Sequence, residues 1–249
     1  MGIFKNLLKE DKHNPRKLLR GVHFDMGTCE NKINDENCLG FIDETHTCIM
    51  LRYNPEIDWD FDLRTPEKAI SFYKNQCREA QGVMLDGKTL KLDGVEALSG
   101  LFKYRAPYNP LAMVYVGIFW LPFQEGMIQI NIEGFETGTT GVRPAIIHML
   151  CQENGEFANR EKQEEEEEEE EEKDESGTVD FSPPIEVKSM EEMFERMKTS
   201  PLRKILSDAE KWDSTLPDDP LSLVRRRMKL LESSINLSAD IKILTPYRV

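Results

Sequence analysis

The chain has 249 residues, of which 39% are hydrophobic and 31% are charged, and its formal net charge is -14 at pH 7. This composition is typical of a soluble globular protein with enough apolar residues for one substantial core. The acidity disfavours DNA and RNA as partners, and no apolar run reaches the roughly 18 residues needed for an integral membrane segment. The longest apolar candidate, residues 111–123, contains Gly117 and Pro122 and is typical of a buried strand.

Most of the negative charge lies in one segment. Nine consecutive glutamates occupy residues 164–172, and residues 161–175 hold twelve acidic against two basic side chains, a sum of -10. Like charges at this density repel one another and have no apolar face to bury. We therefore expect a disordered acidic tether over 153–184, which joins an α+β domain (38–152) to a helical segment (185–249) that packs on it. Residues 1–37 are predicted to be a polar N-terminal arm.

The N-terminus and the cysteines indicate a cytoplasmic protein. The start of the chain lacks the continuous apolar region and the small-residue cleavage site of a secretory signal. Five scattered cysteines, an odd number, fit reduced thiols better than a disulfide framework. An alternative is a peripheral membrane protein that inserts the apolar side chains of its N-terminal arm, namely Ile3, Phe4, Leu7 and Leu8.

The first predicted elements are a hairpin and an amphipathic helix. β-branched and apolar residues are dense over 39–53, as in a hairpin that enters a core, and a solvated, acidic and aromatic connector is expected over 54–64. Thr65 and Pro66 then suit the cap and the first position of a helix, and Gly82 is a typical stop. Helical spacing predicts that this helix buries Ala69, Ile70, Tyr73, Cys77 and Ala80.

Three or four strands are predicted after this helix. Residues 88–92 and 95–105 are joined by an Asp93-Gly94 turn, and residues 112–121 are apolar on both faces, as in a central strand. The strand that begins at Gly126 alternates most sharply, with isoleucines at 128, 130 and 132 on one face. Its other face is polar and is our predicted partner-binding surface, formed by Gln129, Asn131 and Glu133.

Helices dominate the predicted C-terminal part. Thr140 suits the cap of a helix over residues 142–150, and Ser189 with Glu192 forms a capping box for a second helix. A third helix is predicted to start at Ser200-Pro201, with the stripe Leu202, Ile205, Leu206, Ala209 and Trp212. A fourth starts at Asp219-Pro220, with the stripe Leu221, Val224, Met228, Leu231 and Ile235. Residues 241–244 predict a final strand or a docking tail. The fold class is therefore α+β, an antiparallel sheet packed against helices.

Metal and cofactor sites are not supported by the spacing of the candidate ligands. The thiols and imidazole at 29, 38, 46 and 48 lack the short knuckles of structural zinc sites. Asp58, Asp60 and Asp62 lack the glycine and the bidentate glutamate of a calcium loop. We therefore expect no cofactor.

Catalysis is an alternative interpretation. The sequence has neither a G-x-S-x-G nor an H-E-x-x-H motif, and a small enzyme would have to use a site near Cys77, His148 and Arg143. Packed, inert residues are more common at such apolar helical positions. The turn Gly138-Thr-Thr-Gly141, which precedes a helix, is a minor candidate for a phosphate site that Arg143 would assist.

The order of motifs resembles a known superfamily. The Thr-Pro-Glu helix start at 65–67, Asp93-Gly-Val-Glu-Ala97, Lys103-Tyr-Arg-Ala-Pro107 and the alternating strand at 128–132 are similar to the PsbP and DcrB-like superfamily over residues 41–150. Residues 121–123, 138–143 and 212–225 are similar to segments of uncharacterised bacterial proteins, a family with no known catalytic residues. The superfamily resemblance implies a sandwich of antiparallel sheet and helices.

It also implies protein binding, since relatives include a Ran-GTPase partner, photosystem subunits and chaperones of type VI secretion effectors. We therefore expect a non-catalytic protein-interaction module, such as a chaperone, an adaptor or an accessory protein. Its partner would be a protein, and the acidic tether would favour a basic one.

Overall fold

The computed structural model describes residues 14–25, 27–153 and 198–249. Their strands are β1 (Val22–His23), β2 (Glu30–Asn34), β3 (Cys38–Ile42), β4 (Cys48–Asn54), β5 (Val83–Leu92), β6 (Val95–Ala106), β7 (Asn109–Phe123), β8 (Gly126–Phe135) and β9 (Asn236–Leu237). Within the described ranges, seven of them form one antiparallel sheet in the order β2-β3-β4-β8-β7-β6-β5, and β1 pairs separately with β9.

The α-helices of these ranges are α1 (Pro15–Arg20), α2 (Pro66–Glu79), α3 (Val142–Glu153), α4 (Pro220–Ser234) and α5 (Ala239–Lys242). The predicted α+β class, an antiparallel sheet packed against helices, is therefore confirmed. The predicted helix over 189–197 lies outside the described residues, as does the apolar N-terminal arm.

One face of the sheet packs against α4. The isoleucines at 128, 130 and 132 are fully buried in the same cluster as Leu221, Val224 and Leu231 of this helix. Two glycines let the helix come close, because a Cβ at Gly134 would lie 2.9 Å from the carbonyl oxygen of Pro220, and one at Gly117 would overlap the Met228 side chain. Adjacent strands thus provide a shallow groove for α4.

The other face packs against α2, which contacts β5 and β6. Trp59, Tyr73 and Trp120 are buried there, with the Tyr73 and Trp120 rings stacked 4.0 Å apart. The Trp59 indole nitrogen donates a hydrogen bond to the Tyr73 hydroxyl over 3.1 Å. The connector over 54–64 is therefore not solvated throughout, since its aromatic side chains at 59 and 61 complete this core and the Asp62 carboxylate is buried against Arg64.

Residues 200–212 do not form the predicted helix. The structure has two 3-10 turns instead, Leu206–Asp208 and Glu210–Trp212, separated by extended backbone at Ala209. The carbonyl oxygens of Ser207 and Ala209 accept hydrogen bonds from the Arg143 side chain. Tertiary contacts therefore replace the bonds that a continuous helix would make.

Two boundaries also differ from the expectation. The expected strand or docking tail at residues 241–244 is not observed. Ile241 lies in α5 and is fully buried. A bridge between Phe123 and Pro246 follows this helix. At the other end, Leu18, Leu19 and Val22 are buried in the α4-side core, so residues within the expected arm belong to the same folded unit as the sheet.

Candidate functional site

The candidate site is a part of the sheet that we call the open face. It lies on the α2 side, over β3, β4, β8 and part of β7. The helices that contact β3, β4 and β8, namely α1 and α4, lie on the opposite side, while α2 covers β5 and β6. Side chains of the open face form three rows across the strands: Cys38, Arg52 and Gln129; then Gly40, Met50, Asn131 and Ile118; then Ile42, Cys48, Glu133 and Val116.

The three residues predicted for partner binding lie together in the middle of this surface. Gln129 donates a side-chain hydrogen bond to the Asn131 amide oxygen over 2.7 Å, and its own amide oxygen accepts one from Asn54 over 3.4 Å. Asn131 is only 8% exposed, whereas Gln129 and Glu133 are half-buried. The amide groups are thus held in a fixed orientation, with polar atoms available at the surface.

Two charged side chains of the open face have no ion pair within the described part of the chain. Glu133 forms neither a hydrogen bond nor a salt bridge there, and the one hydrogen bond of Arg52 goes to the Met50 sulfur, 3.1 Å away. The open face therefore combines a half-buried apolar surround with one charge of each sign that is unpaired within the described residues.

Sequence reasoning found only the β8 part of this patch. Arg52 and Met50 come from β4, where residues alternate between the buried Ile49, Leu51 and Tyr53 and their more exposed neighbours. This period-2 pattern is visible in the sequence and could have identified the outward side of β4. The pairing of β4 with β8 is not visible there, because it joins residues about 80 positions apart, such as Met50 and Asn131.

The thiol in this patch is not an activated nucleophile. Burial raises the pKa of the Cys48 thiol, and the Glu133 and Asp43 carboxylates raise it further. Both effects disfavour the thiolate. Among the described residues, no group of three or more Cys, His, Asp or Glu side chains is arranged to hold a metal ion.

The residues of the alternative enzymatic site are not brought together. Cys77 lies on the buried side of α2, in the aromatic core, where burial raises the pKa of its thiol. Arg143 packs against the N-terminus of α4, which lies on the opposite face of the sheet. His148 is on the exposed side of α3. A sheet therefore separates the candidate nucleophile from the candidate cation.

Arg143 instead forms the centre of a buried polar network. Its guanidinium donates to the Ser207 carbonyl oxygen over 2.6 Å, to the Asp213 carboxylate over 2.7 Å, to the Asp219 carboxylate over 3.0 Å and to the Ser222 hydroxyl over 2.8 Å. The side chain has no exposed surface. We call this group the Arg143 network, and it joins the start of α3 to the segment that leads into α4.

The phosphate site considered at residues 138–141 is ruled out by the same contacts. The Arg143 donors are committed to protein oxygens, and the Glu136 carboxylate accepts a hydrogen bond from the Gly141 backbone N–H. Glu136 also accepts from the Met113 N–H over 2.8 Å. An internal carboxylate therefore takes a backbone donor that an anion would need.

The fold and the site define a class: an α+β protein whose antiparallel sheet leaves part of one face open among the described residues. No family model and no curated protein matches the chain. Two solved structures are similar in part. The Ran-binding protein Mog1p of Saccharomyces cerevisiae is 12% identical, with a TM-score of 0.34 over 45% of this chain and 71% of that one. A mutant of protein Mog1 is 11% identical, with a TM-score of 0.36 over 50% of this chain and 76% of that one.

These values assign no family and no partner. Within the described ranges, no helix is both long enough and apolar enough to cross a membrane.

Proposed function

We propose that this chain is a non-catalytic protein-interaction module that binds a protein partner through the open face. The observation that carries the proposal is that Glu133 and Arg52 have no ion pair with any described residue, on a half-buried surface that also contains Met50 and Ile118. Specific interfaces combine such an apolar centre with a few oriented polar groups. A PsbP- or DcrB-like sandwich and a cytoplasmic location are parts of the same proposal, and the free cysteines support the latter.

The acidic tract has a separate role in this proposal. The net charge of -10 over residues 161–175 would raise the rate at which basic partners associate. The module would then serve such partners as a chaperone, an adaptor or an accessory protein. This steering should weaken as salt is added, because the Debye length is about 8 Å at physiological ionic strength.

The test compares two triple variants in affinity capture from source lysate. The first changes Gln129, Asn131 and Glu133 to arginine on the open face. The control changes Asn75, Gln76 and Glu79, which are exposed on α2 and have the same three residue types, to arginine. Circular dichroism and thermal melting verify that both variants fold, a necessary check because Asn131 is only 8% exposed.

A stoichiometric partner that is lost from the open-face variant and kept by the control supports the proposal. If both variants keep every partner, the open face is not the binding surface.

A further inference from the structure

We infer that residues 189–197 of this chain dock as a helix on the outer side of α3, antiparallel to it. The outer side is formed by four apolar residues at helical spacing, Val142, Ala145, Ile146 and Met149. It lies on the α4 side of the sheet, away from the open face. The inference therefore goes beyond the proposed function and does not depend on it.

The first observation is that α3 is apolar on two opposite sides. Its inner side packs the buried Ile147 and Cys151 against Trp212. Its outer side is equally apolar, yet Val142 is 42% exposed and Met149 is 60% exposed. A helix that is apolar all round is normally buried all round. The outer side of α3 therefore lacks a covering element among the described residues.

The second observation is that the described chain resumes with the end of a helix. Lys198 and Thr199 are helical, but one turn of α-helix takes 3.6 residues. These two residues therefore extend the helix that the sequence predicts from the capping box of Ser189 and Glu192. The predicted apolar stripe has the i, i+3, i+4, i+7 spacing of the outer side of α3 and consists of Met190, Met193, Phe194 and Met197. The two stripes match in period and in length.

The third observation is that the chain resumes near the N-terminal end of α3. The Arg105 guanidinium, on β6, donates a hydrogen bond to the Ser200 carbonyl oxygen over 2.5 Å. Lys103, two residues earlier on the same side of β6 and about 7 Å away, pairs with the Asp208 carboxylate over 2.9 Å. Arg143, the second residue of α3, binds the residue before that aspartate over 2.6 Å. A helix that ends just before Ser200 therefore ends close to the start of α3.

This position sets the antiparallel arrangement. The docked helix would be about 15 Å long, and α3 is about 18 Å long. Residues 154–188 are more than long enough to join the C-terminal end of α3 to the start of the docked helix. In this arrangement Met197 lies opposite Val142, and Met190 lies opposite Met149.

Residues 189–197 are also the occupant that the sequence favours within the chain. The preceding stretch, 154–188, contains the acidic tract and two consecutive prolines, and its apolar residues form no helical stripe. Docking of 189–197 would place the end of that stretch beside its beginning. The two ends of the acidic tract would then lie close together at the C-terminal end of α3.

The first test is hydrogen–deuterium exchange on the full chain, read by mass spectrometry of peptides. Amides of residues 189–197 should exchange about tenfold or more slower than those of an unstructured peptide of the same sequence, because helical amides are hydrogen-bonded. Met149→Glu should remove this protection, because it places a charge in the apolar contact. Ile243→Glu, at a 75% exposed apolar position that follows α5, is the control and should leave the protection unchanged. Circular dichroism verifies the fold of both variants.

Engineered disulfides test the register. In a full chain whose three partly exposed cysteines are replaced by serine, Val142→Cys with Met197→Cys and Met149→Cys with Met190→Cys should each form a disulfide on mild oxidation. The exchanged pairs, 142 with 190 and 149 with 197, should not. Each exchanged pair is displaced by about 10 Å along the helices, beyond the Cα separation of about 4.4 to 6.8 Å that a disulfide allows.

Three outcomes would overturn the inference. Residues 189–197 that exchange as fast as an unstructured peptide in the wild type would leave the outer side of α3 open to another protein. Protection that Met149→Glu does not change would mean that the segment docks elsewhere. Equal disulfide yields from the matched and the exchanged pairs would exclude the antiparallel helix pair. None of these outcomes concerns the open face, whose triple variant tests the proposed function separately.

Discussion

The strongest prediction concerns the Arg143 network. Arg143→Met keeps most of the side-chain volume and removes the guanidinium that binds Ser207, Asp213, Asp219 and Ser222. Removal of one partner from a buried ion pair costs about 3 to 5 kcal/mol, because the remaining charge is left without compensation. Asp219 is the group most affected, since burial already raises the pKa of its carboxyl and Arg143 is the principal group that lowers it.

The assay is urea unfolding followed by tryptophan fluorescence. For a slope of about 2 to 3 kcal/mol per molar urea, the expected loss of about 3 to 5 kcal/mol moves the unfolding midpoint down by about 1 to 2.5 M. Arg226→Ala on the exposed side of α4 is the matched control, because its hydrogen bond to the Pro217 carbonyl oxygen is 3.4 Å long and exposed. That variant should change stability by no more than about 0.5 kcal/mol.

A loss below about 1 kcal/mol for Arg143→Met, or one equal to that of the control, would refute the reasoning. It would mean that water replaces the guanidinium at little cost and that the network does not hold α3 to α4.

Three further predictions follow from packing and ionisation. Gly134→Ala should cost about 1 to 3 kcal/mol in urea unfolding, because the new Cβ would lie 2.9 Å from a backbone oxygen of α4. Gly87→Ala should cost less, because its new Cβ would overlap only the terminal methyl of the flexible Met84 side chain; equal costs would contradict the steric argument. Burial raises the pKa of Glu136. The stability of the wild type relative to Glu136→Gln should therefore be greatest below about pH 4.5 and should fall as pH rises through the folded-state pKa. A difference in unfolding free energy that does not change with pH, or that changes with the opposite sign, would contradict this. Because burial raises the pKa of Cys77, this thiol should react with a disulfide reagent only after unfolding, and rapid reaction in the folded protein would favour the enzymatic alternative.

Sequence patterns predicted those elements whose structure depends on residues that are close in the sequence. The alternation at 128–132 identifies the buried side of β8, because adjacent residues of a strand face opposite ways. Pro66 and Pro220 mark the first positions of α2 and α4, and the Asp219 side chain caps α4 by accepting a hydrogen bond from the Leu221 N–H. These features are encoded within a few residues.

Elements decided by long-range contacts could not be predicted in the same way. The stripe over 202–212 has helical spacing, yet Arg143 binds carbonyl oxygens of this segment from more than 60 residues away. The open face has a similar origin. The sequence shows that β8 has a polar side, but only the fold shows that, among the described elements, α2 covers β5 and β6 and leaves this side open.

The Arg143 network also predicts how the chain tolerates its acidic tract. The tract lies between Arg143 and its partners from Ser207 onward, and the first of these contacts closes a chain separation of 64 residues. Deletion of residues 161–175 removes 15 of them, which changes the entropy of closure by only about 0.2 kcal/mol. If the tract is a solvated tether, urea unfolding at physiological salt should show a stability change below about 0.5 kcal/mol.

A Gly-Ser replacement of the same length is the control, since it removes the charge without changing the separation. A loss above about 1 kcal/mol for both variants would show that the tract packs on the fold, and the tether interpretation would then be wrong. A small change would instead support the tether interpretation, in which the tract contributes little to the stability of the fold.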